Sequence, residues 1–307
     1  MLKYYAAAAG LKLFSINDTT VKAYRSIGNV LGGKRRSSEV RSGYFQRSDH
    51  NLRFIERHGA IAHGMKALEL GTGWVHWEAL FTRAFYDVEF TLFDVWDNRQ
   101  FEGFLFYAGQ LRQRMRSEIN RTEAEFARAE TVLDSVLSCR TFDEVYEKLG
   151  WAYLTDWNGS LDAIPDASLD LIVSSDVLEH VHRDSMSSLA AAHERILKPG
   201  AHAGHQIVFN DHLKIYDHSV HPKNYLKMSD MRWKMLGENR VQYINRMQAS
   251  EIETIFKSAH LDLIAEEVTD KCSLDNIVID SRFASYSRGD LETSVKSILL
   301  QKPGHSA

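Results

Sequence analysis

Lys66-Ala67-Leu68-Glu69-Leu70-Gly71-Thr72-Gly73-Trp74 is the stretch on which the fold turns. Its first half is an apolar run of strand length, and two glycines interrupt it where a backbone must turn tightly and let a ligand approach without a Cβ in the way. A helix follows over roughly residues 76–85, and Val88-Glu89-Phe90-Thr91-Leu92-Phe93-Asp94 reads as a second strand ending in an acid. This is a β-α-β unit. Asp94 falls about 20 residues beyond the glycine turn, where a carboxylate can accept hydrogen bonds from ribose hydroxyls.

Downstream, residues 99–150 carry apolar residues at three- and four-residue spacing (Leu105, Leu111, Met115, Ile119, then Val132, Val136, Val145) and read as a helical insertion longer than a crossover needs. The sheet resumes at Leu169–Ser174, a helix spans 188–197 and stops at Lys198-Pro199-Gly200, and a strand covers 203–209. A helix at 249–259 and strands near 261–268 and 297–300 complete the α/β domain, placed at residues 51–307. Upstream, residues 1–50 read as a helical extension. Its first helix has Leu2, Tyr5, Ala9 and Leu13 on one stripe, and its second starts after Asn17-Asp18 and ends near Gly32-Gly33, before Lys34-Arg35-Arg36. Such an element either packs on the catalytic domain or lies on an anionic membrane surface.

The chain has 307 residues, 44% hydrophobic and 25% charged, and a net charge of -4, which suits a globular protein and disfavours a nucleic-acid partner held by bulk charge. Two cysteines, Cys139 and Cys272, give neither a disulfide framework nor zinc spacing. A cytoplasmic protein without signal peptide or transmembrane span is expected, with peripheral contact at the inner face of the membrane left open.

Glu69-Leu70-Gly71-Thr72-Gly73-Trp74-Val75 resembles the acid-x-Gly-x-Gly-x-Gly motif of class I S-adenosylmethionine-dependent methyltransferases, with Val75 in place of the third glycine. Val75 also speaks against a nicotinamide enzyme, whose dinucleotide diphosphate needs close backbone approach. Two further blocks, Ile164–Val181 and Glu194–Gly200, match the family's segments around its fourth and fifth strands. The resemblance covers about residues 65–210 and implies a Rossmann-like methyltransferase sheet with helices on both faces and S-adenosylmethionine as cofactor. It places Glu69, Gly71, Thr72, Gly73 and Trp74 along the methionine moiety and Asp94 on the ribose. Gly159 and Ser160 then lie near adenine, with Asp156 and Asn158 competing, and Asp176 also lies at the cofactor.

Beyond the fifth strand, Asn210-Asp211-His212 and Tyr243-Ile244-Asn245-Arg246 are similar to blocks in methyltransferases encoded with bacterial surface-polysaccharide genes. Ligands in open α/β sheets sit at the carboxyl ends of strands, which puts His212 near the transferred methyl. Methyl transfer to a hydroxyl must also remove its proton. His212 is therefore the candidate base, Asp211 or Asp217 its orienting acid, and His180 a pocket residue; the alternative is that His212 is an ordinary loop histidine. A second arrangement places Asp176, Glu179 and His180 at i, i+3 and i+4 of a helix and joins them with His212 around Mg²⁺ or Mn²⁺. Of the six tryptophans, Trp74 and Trp96 adjoin the cofactor motifs. The function expected is an O-methyltransferase acting on a sugar hydroxyl of a bacterial glycan or its lipid- or nucleotide-linked precursor. The alternatives are a small-molecule O- or N-methyltransferase of secondary metabolism or quinone type, and an inactive fold serving as a binding partner in glycan assembly.

Overall fold

The computed structural model describes residues 2–36 and 39–304. Three helices, α1 (Leu2–Leu13), α2 (Asp18–Arg36) and α3 (Ser42–Arg57), lead into β1 (Met65–Leu70), α4 (Trp77–Phe85) and β2 (Val88–Asp94). Next come α5 (Phe101–Glu118), α6 (Glu123–Leu137), α7 (Phe142–Leu149), β3 (Ala152–Thr155) and β4 (Leu169–Ser175). α8 (Met186–Ile196) runs directly into β5 (Leu197–Val208), followed by α9 (Asp230–Leu236), α10 (Ala249–Ser258), β6 (Asp262–Lys271), α11 (Arg288–Glu292) and β7 (Thr293–Gln301).

The strands form one seven-stranded sheet in the order β3-β2-β1-β4-β5-β7-β6, in which β7 runs antiparallel to both its neighbours. Alternate side chains feed two cores because successive Cβ atoms leave opposite faces of a strand. Ala67, Phe90, Leu92 and Leu171 pack under α3–α7, and Leu68, Phe93, Ile172 and Ala203 pack under α8 and α10. This is the expected Rossmann-like sheet covered on both faces. The chain leaves β1 toward β2 on one side and later returns to β4 on the other, so a crevice opens between β1 and β4 at their carboxyl ends.

The helical 99–150 stretch resolves into α5, α6 and α7, with α6 started by a reciprocal Thr122/Glu125 capping box. The structure also adds and shifts elements. β3 was not anticipated: it is a four-residue edge strand. The Lys198-Pro199-Gly200 stop falls inside β5, with Gly200 at φ +80° where the strand begins. α2 continues past Gly32-Gly33 to Arg36, and α3 runs across residue 50.

A third core lies on the edge of the catalytic layers, where Tyr4, Ala8 and Leu11 of α1 pack with Leu213, Tyr225, Trp233 and Phe283. The buried face of α1 is therefore Tyr4-Ala8-Leu11, and Leu2 and Leu13 of the expected stripe are 86% and 66% exposed. The Tyr4 hydroxyl, which donates to Asp211 at 2.7 Å inside this core, sets that phase.

His193 of α8 and His205 of β5 lie in the second core with ring centroids 5.2 Å apart. Ser174 Oγ pairs with His205 Nδ1 at 2.8 Å, and His193 Nδ1 donates to the Leu189 carbonyl at 2.8 Å. Burial pushes His193 down to about 4 and His205 well below its usual value. Below pH 6.5 the unfolded chain takes up protons that the folded one refuses, so stability is lost as pH falls. From pH 7 to pH 5, His193 alone should cost about 2 kcal/mol. Urea unfolding at the two pH values should show His193→Gln losing less stability than wild type, and parallel losses would refute the neutral-histidine assignment.

Candidate active site

A cavity of about 1380 Å³ opens at the carboxyl ends of β1, β2, β4 and β5. Of the residues named from sequence, Gly71, Trp74, Asp94, Gly159, Ser160, Asp176, His180, Asp211 and His212 line it. Glu69, Thr72 and Gly73 do not. They border a second cavity of about 340 Å³ on the α3 side of the turn, beside Arg47 and Glu78, with Gly71 and Trp74 reaching both.

The glycine turn is held by its own backbone and by two carboxylates. Gly71 N and Thr72 N donate to the Phe93 carbonyl at 2.9 and 3.0 Å, and Gly73 N donates to Asp94 Oδ2 at 3.0 Å. Asp94 Oδ1 accepts from Val95 N at 2.7 Å, and burial raises the Asp94 pKa. Glu69 accepts from Thr72 Oγ1 at 2.7 Å, and burial pushes it up to about 8. Thr72 Oγ1 also meets His76 Nδ1 at 2.7 Å, while His76 Nε2 faces the Tyr146 hydroxyl at 2.9 Å, so a buried relay braces the turn from below. Asp156 organises the 156–160 loop by accepting from Asn158 N and Ser160 N at 2.9 and 3.0 Å, which brings Gly159 and Ser160 to the cavity wall.

Glu179, His180 and His212 come together, each offering a ligand atom within 4.8 Å of the others. Glu179 is 4% exposed, and neither of its carboxyl oxygens finds a hydrogen-bond partner among the described residues. Burial and then the charge of Asp176 raise its pKa well above the usual carboxyl range, and the nearby peptide N–H groups of Glu179 and Val208 soften that cost only in part. His180 Nδ1 donates to the Tyr243 carbonyl at 2.6 Å, which leaves Nε2 as the free lone pair. Burial, aided by His180, pushes His212 down to about 4 and keeps it neutral.

Two expectations are corrected here. Asp176 does not join this group: the chain makes only a 3₁₀ turn at Leu178–His180, Asp176 sits at φ +58°, and Arg47 Nη1 holds its Oδ2 at 2.7 Å. Asp211 does not orient His212, because its oxygens accept from the Tyr4 hydroxyl and Leu213 N. Asp217 accepts from Ser219 N and Oγ.

The Tyr243–Arg246 block acts as a clamp. Asn245 Nδ2 donates to the Leu178 and Val181 carbonyls at 2.8 and 3.0 Å, and its N–H donates to the Glu179 carbonyl at 2.9 Å, fixing the turn that carries Glu179 and His180. Sequence reasoning missed the roof. Arg25 of α2 lies over Trp157 and Trp96 at 4.6 and 5.3 Å, and Asn29 accepts from Trp74 Nε1 at 2.9 Å, so α2 spans three loops of the cofactor side. Trp157 is thus a third cavity tryptophan, while Trp77, Trp151 and Trp233 are core. Nothing in the spacing of Arg25 or Asn29 marks them, since their partners are far along the chain.

Residues 44–266 match the model of a methyltransferase-domain family. The chain belongs to that family. The crevice at the carboxyl ends of β1 and β4 lies within the matched residues. A search of curated protein sequences gives no significant match. Among solved structures, the chain is similar to phosphoethanolamine N-methyltransferase 2 of Haemonchus contortus in complex with S-adenosyl-L-methionine (15% identity, 83% of this chain and 52% of that one, TM-score 0.46). It spans about half the length of that enzyme. It is also similar to a sarcosine dimethylglycine methyltransferase, so described, of Galdieria sulphuraria (11%, 84% and 86%, 0.46) and to 1,6-didemethyltoxoflavin-N1-methyltransferase of Burkholderia thailandensis (12%, 83% and 78%, 0.43).

The turn gives a contrast between its two glycines. Both have left-handed φ, +73° at Gly71 and +63° at Gly73, but a Cβ on Gly71 would meet Val177 Cγ2 at 2.5 Å, whereas one on Gly73 would meet nothing within 4 Å. Each alanine costs about 1 kcal/mol for the backbone. Gly71→Ala adds a steric clash of a further ~1–3 kcal/mol. Thermal unfolding and calorimetry with S-adenosylhomocysteine should therefore show Gly71→Ala clearly worse than Gly73→Ala in both stability and binding, and equal effects would contradict the packing of the turn on Val177.

Proposed function

We propose that this chain is an S-adenosylmethionine-dependent methyltransferase that acts on a hydroxyl, that of a sugar in a bacterial glycan or its precursor. The observation that carries the reading is the Glu179–His180–His212 group, whose two imidazoles line the cavity with the carboxyl of Glu179 buried behind them. An amine acceptor brings its own lone pair once neutral, but a hydroxyl must give up a proton as the new bond forms, and this group supplies the means. Asp94, and Asp176 through its unpartnered Oδ1, would hold the cofactor, which supplies the methyl group. Trp157, Tyr243, Asn210 and Gln242 give the rest of the cavity the mixed aromatic and polar lining that suits a sugar.

His212, neutral and open to the cavity, takes the hydroxyl proton in the simpler arrangement. A second arrangement is favoured by the buried, unpartnered carboxyl of Glu179 and by His180, whose Nδ1 is anchored on a backbone carbonyl as metal-binding histidines are. Glu179, His180 Nε2 and His212 would hold a divalent cation that acidifies the hydroxyl. With Asp176 withdrawn to Arg47, the donor set is two imidazoles and one carboxylate, which suits Mn²⁺ or a softer transition ion better than Mg²⁺.

Mass spectrometry of glycan precursors incubated with enzyme and isotopically labelled cofactor should show one methyl per acceptor on oxygen; transfer only to nitrogen would overturn the reading. On that acceptor His212→Ala should lower turnover by ~10²–10⁴-fold with S-adenosylhomocysteine affinity unchanged. Glu179→Gln should be comparably damaging, and chelation should silence the wild type until Mn²⁺ is restored, if the cation arrangement holds. Full activity after chelation and in Glu179→Gln leaves His212 alone as the base, and full activity in His212→Ala removes both.

A further inference from the structure

Residues 1–41 contain eight Lys and Arg against two acids, a surplus of six in a chain whose total is -4. The helices built from them bury only one side. α1 packs Tyr4, Ala8 and Leu11 inward, which leaves Leu2, Ala6, Ala9 and Leu13 as an outward stripe at i, i+4, i+7 and i+11. α2 turns Val21, Tyr24, Arg25 and Asn29 to the cavity and exposes Ala23, Ile27, Val30 and Leu31 on its other side, with Ile27 49%, Val30 68% and Leu31 66% exposed. Ile16, in the turn between them, is 68% exposed, and beside α1 Met231 and Met235 of α9 are 74% and 65% exposed.

Ordinary surface helices put polar residues outward, so two consecutive helices with apolar outer stripes call for a covering partner. Lys3 and Lys22 are exposed on these two helices, Lys22 with its Nζ 5.9 Å from the Trp157 ring, Lys12 donates to the Lys234 carbonyl at the edge of α9, and Asp18, the one acid of α1 and α2, is already paired with Arg240. Apolar side chains flanked by lysines whose stems reach along apolar surface fit the boundary of an anionic bilayer. We propose that α1 and α2, with the edge of α9, form a docking face for an anionic lipid bilayer and present the cavity beneath α2 to an acceptor that stays lipid-anchored. The lipid-anchored acceptor rests on the glycan-precursor reading above; the docking rests on this surface alone. Because α2 lines the cavity with one side and exposes the other, contact with the bilayer brings this wall of the cavity against the membrane.

The test is co-sedimentation of the full chain with acceptor-free vesicles of phosphatidylcholine, with and without phosphatidylglycerol, at low and high salt. Binding should require phosphatidylglycerol and fall with salt. The double variant Ile27→Ser/Leu31→Ser, and separately Leu13→Ser on the other helix, should lower the partition coefficient by roughly 10-fold or more, with S-adenosylhomocysteine affinity retained as the sign of an intact fold. Absence of binding to phosphatidylglycerol vesicles overturns the proposal, as does undiminished binding by folded variants. It is also overturned if the wild type self-associates without binding vesicles and these substitutions abolish the association, since the face would then join two copies of this chain. With no acceptor in the vesicles, none of these outcomes depends on the glycan reading.

Discussion

Gly71 lies so close to Val177 that a single added carbon would come within 2.5 Å of that side chain. This contact closes the crevice between β1 and β4 and sets the spacing on which the site depends. On one side, the turn stays in place through Phe93, Asp94 and the Glu69–Thr72–His76 relay. On the other, Val177 leads within three residues to Glu179 and His180. The glycine turn and the turn that carries Glu179 and His180 are therefore neighbours across a gap that only glycine permits.

Asp176 Oδ1, Asn210 Oδ1 and Gln242 Oε1 at this crevice lack a hydrogen-bond partner among the described residues, but Glu179 stands out because both of its carboxyl oxygens do. Asp94 caps the turn, Asp176 is held by Arg47, Asp211 by Tyr4, and His180 by a carbonyl, whereas Glu179 is enclosed with two unsatisfied oxygens. An unpaired buried carboxyl carries a desolvation cost of about 1–3 kcal/mol or more and persists where function requires it. Asn245, from the block around Tyr243, locks the turn beneath it, so residues nearly seventy positions apart cooperate to aim one carboxyl and one imidazole.

β1, β2 and β4 were legible because an apolar strand broken by glycine or an acid is a local signal, and the helices of 101–149 because their periodicity is long. β3 was not, being four residues at the sheet edge with exposed ends. The spacing of α1 marks a helix but not its phase, since both of its stripes are apolar and the choice depends on a hydroxyl of Tyr4 meeting Asp211. The spacing of Asp176, Glu179 and His180 suggested one helical face, yet a left-handed Asp176 and a 3₁₀ turn separate the first from the other two. The roof made by Arg25 and Asn29 had no local signal at all, because its partners Trp74, Trp96 and Trp157 come from three later loops.

The crystal structure of the protein with S-adenosylhomocysteine tests the central claim most directly. The account predicts the ribose on Asp94, the nucleoside beneath Arg25 and Trp157, and the sulfur in the crevice beside Gly71, facing Glu179, His180 and His212. A cofactor seated instead in the smaller cavity by Arg47, or with its sulfur turned away from those three residues, would contradict it.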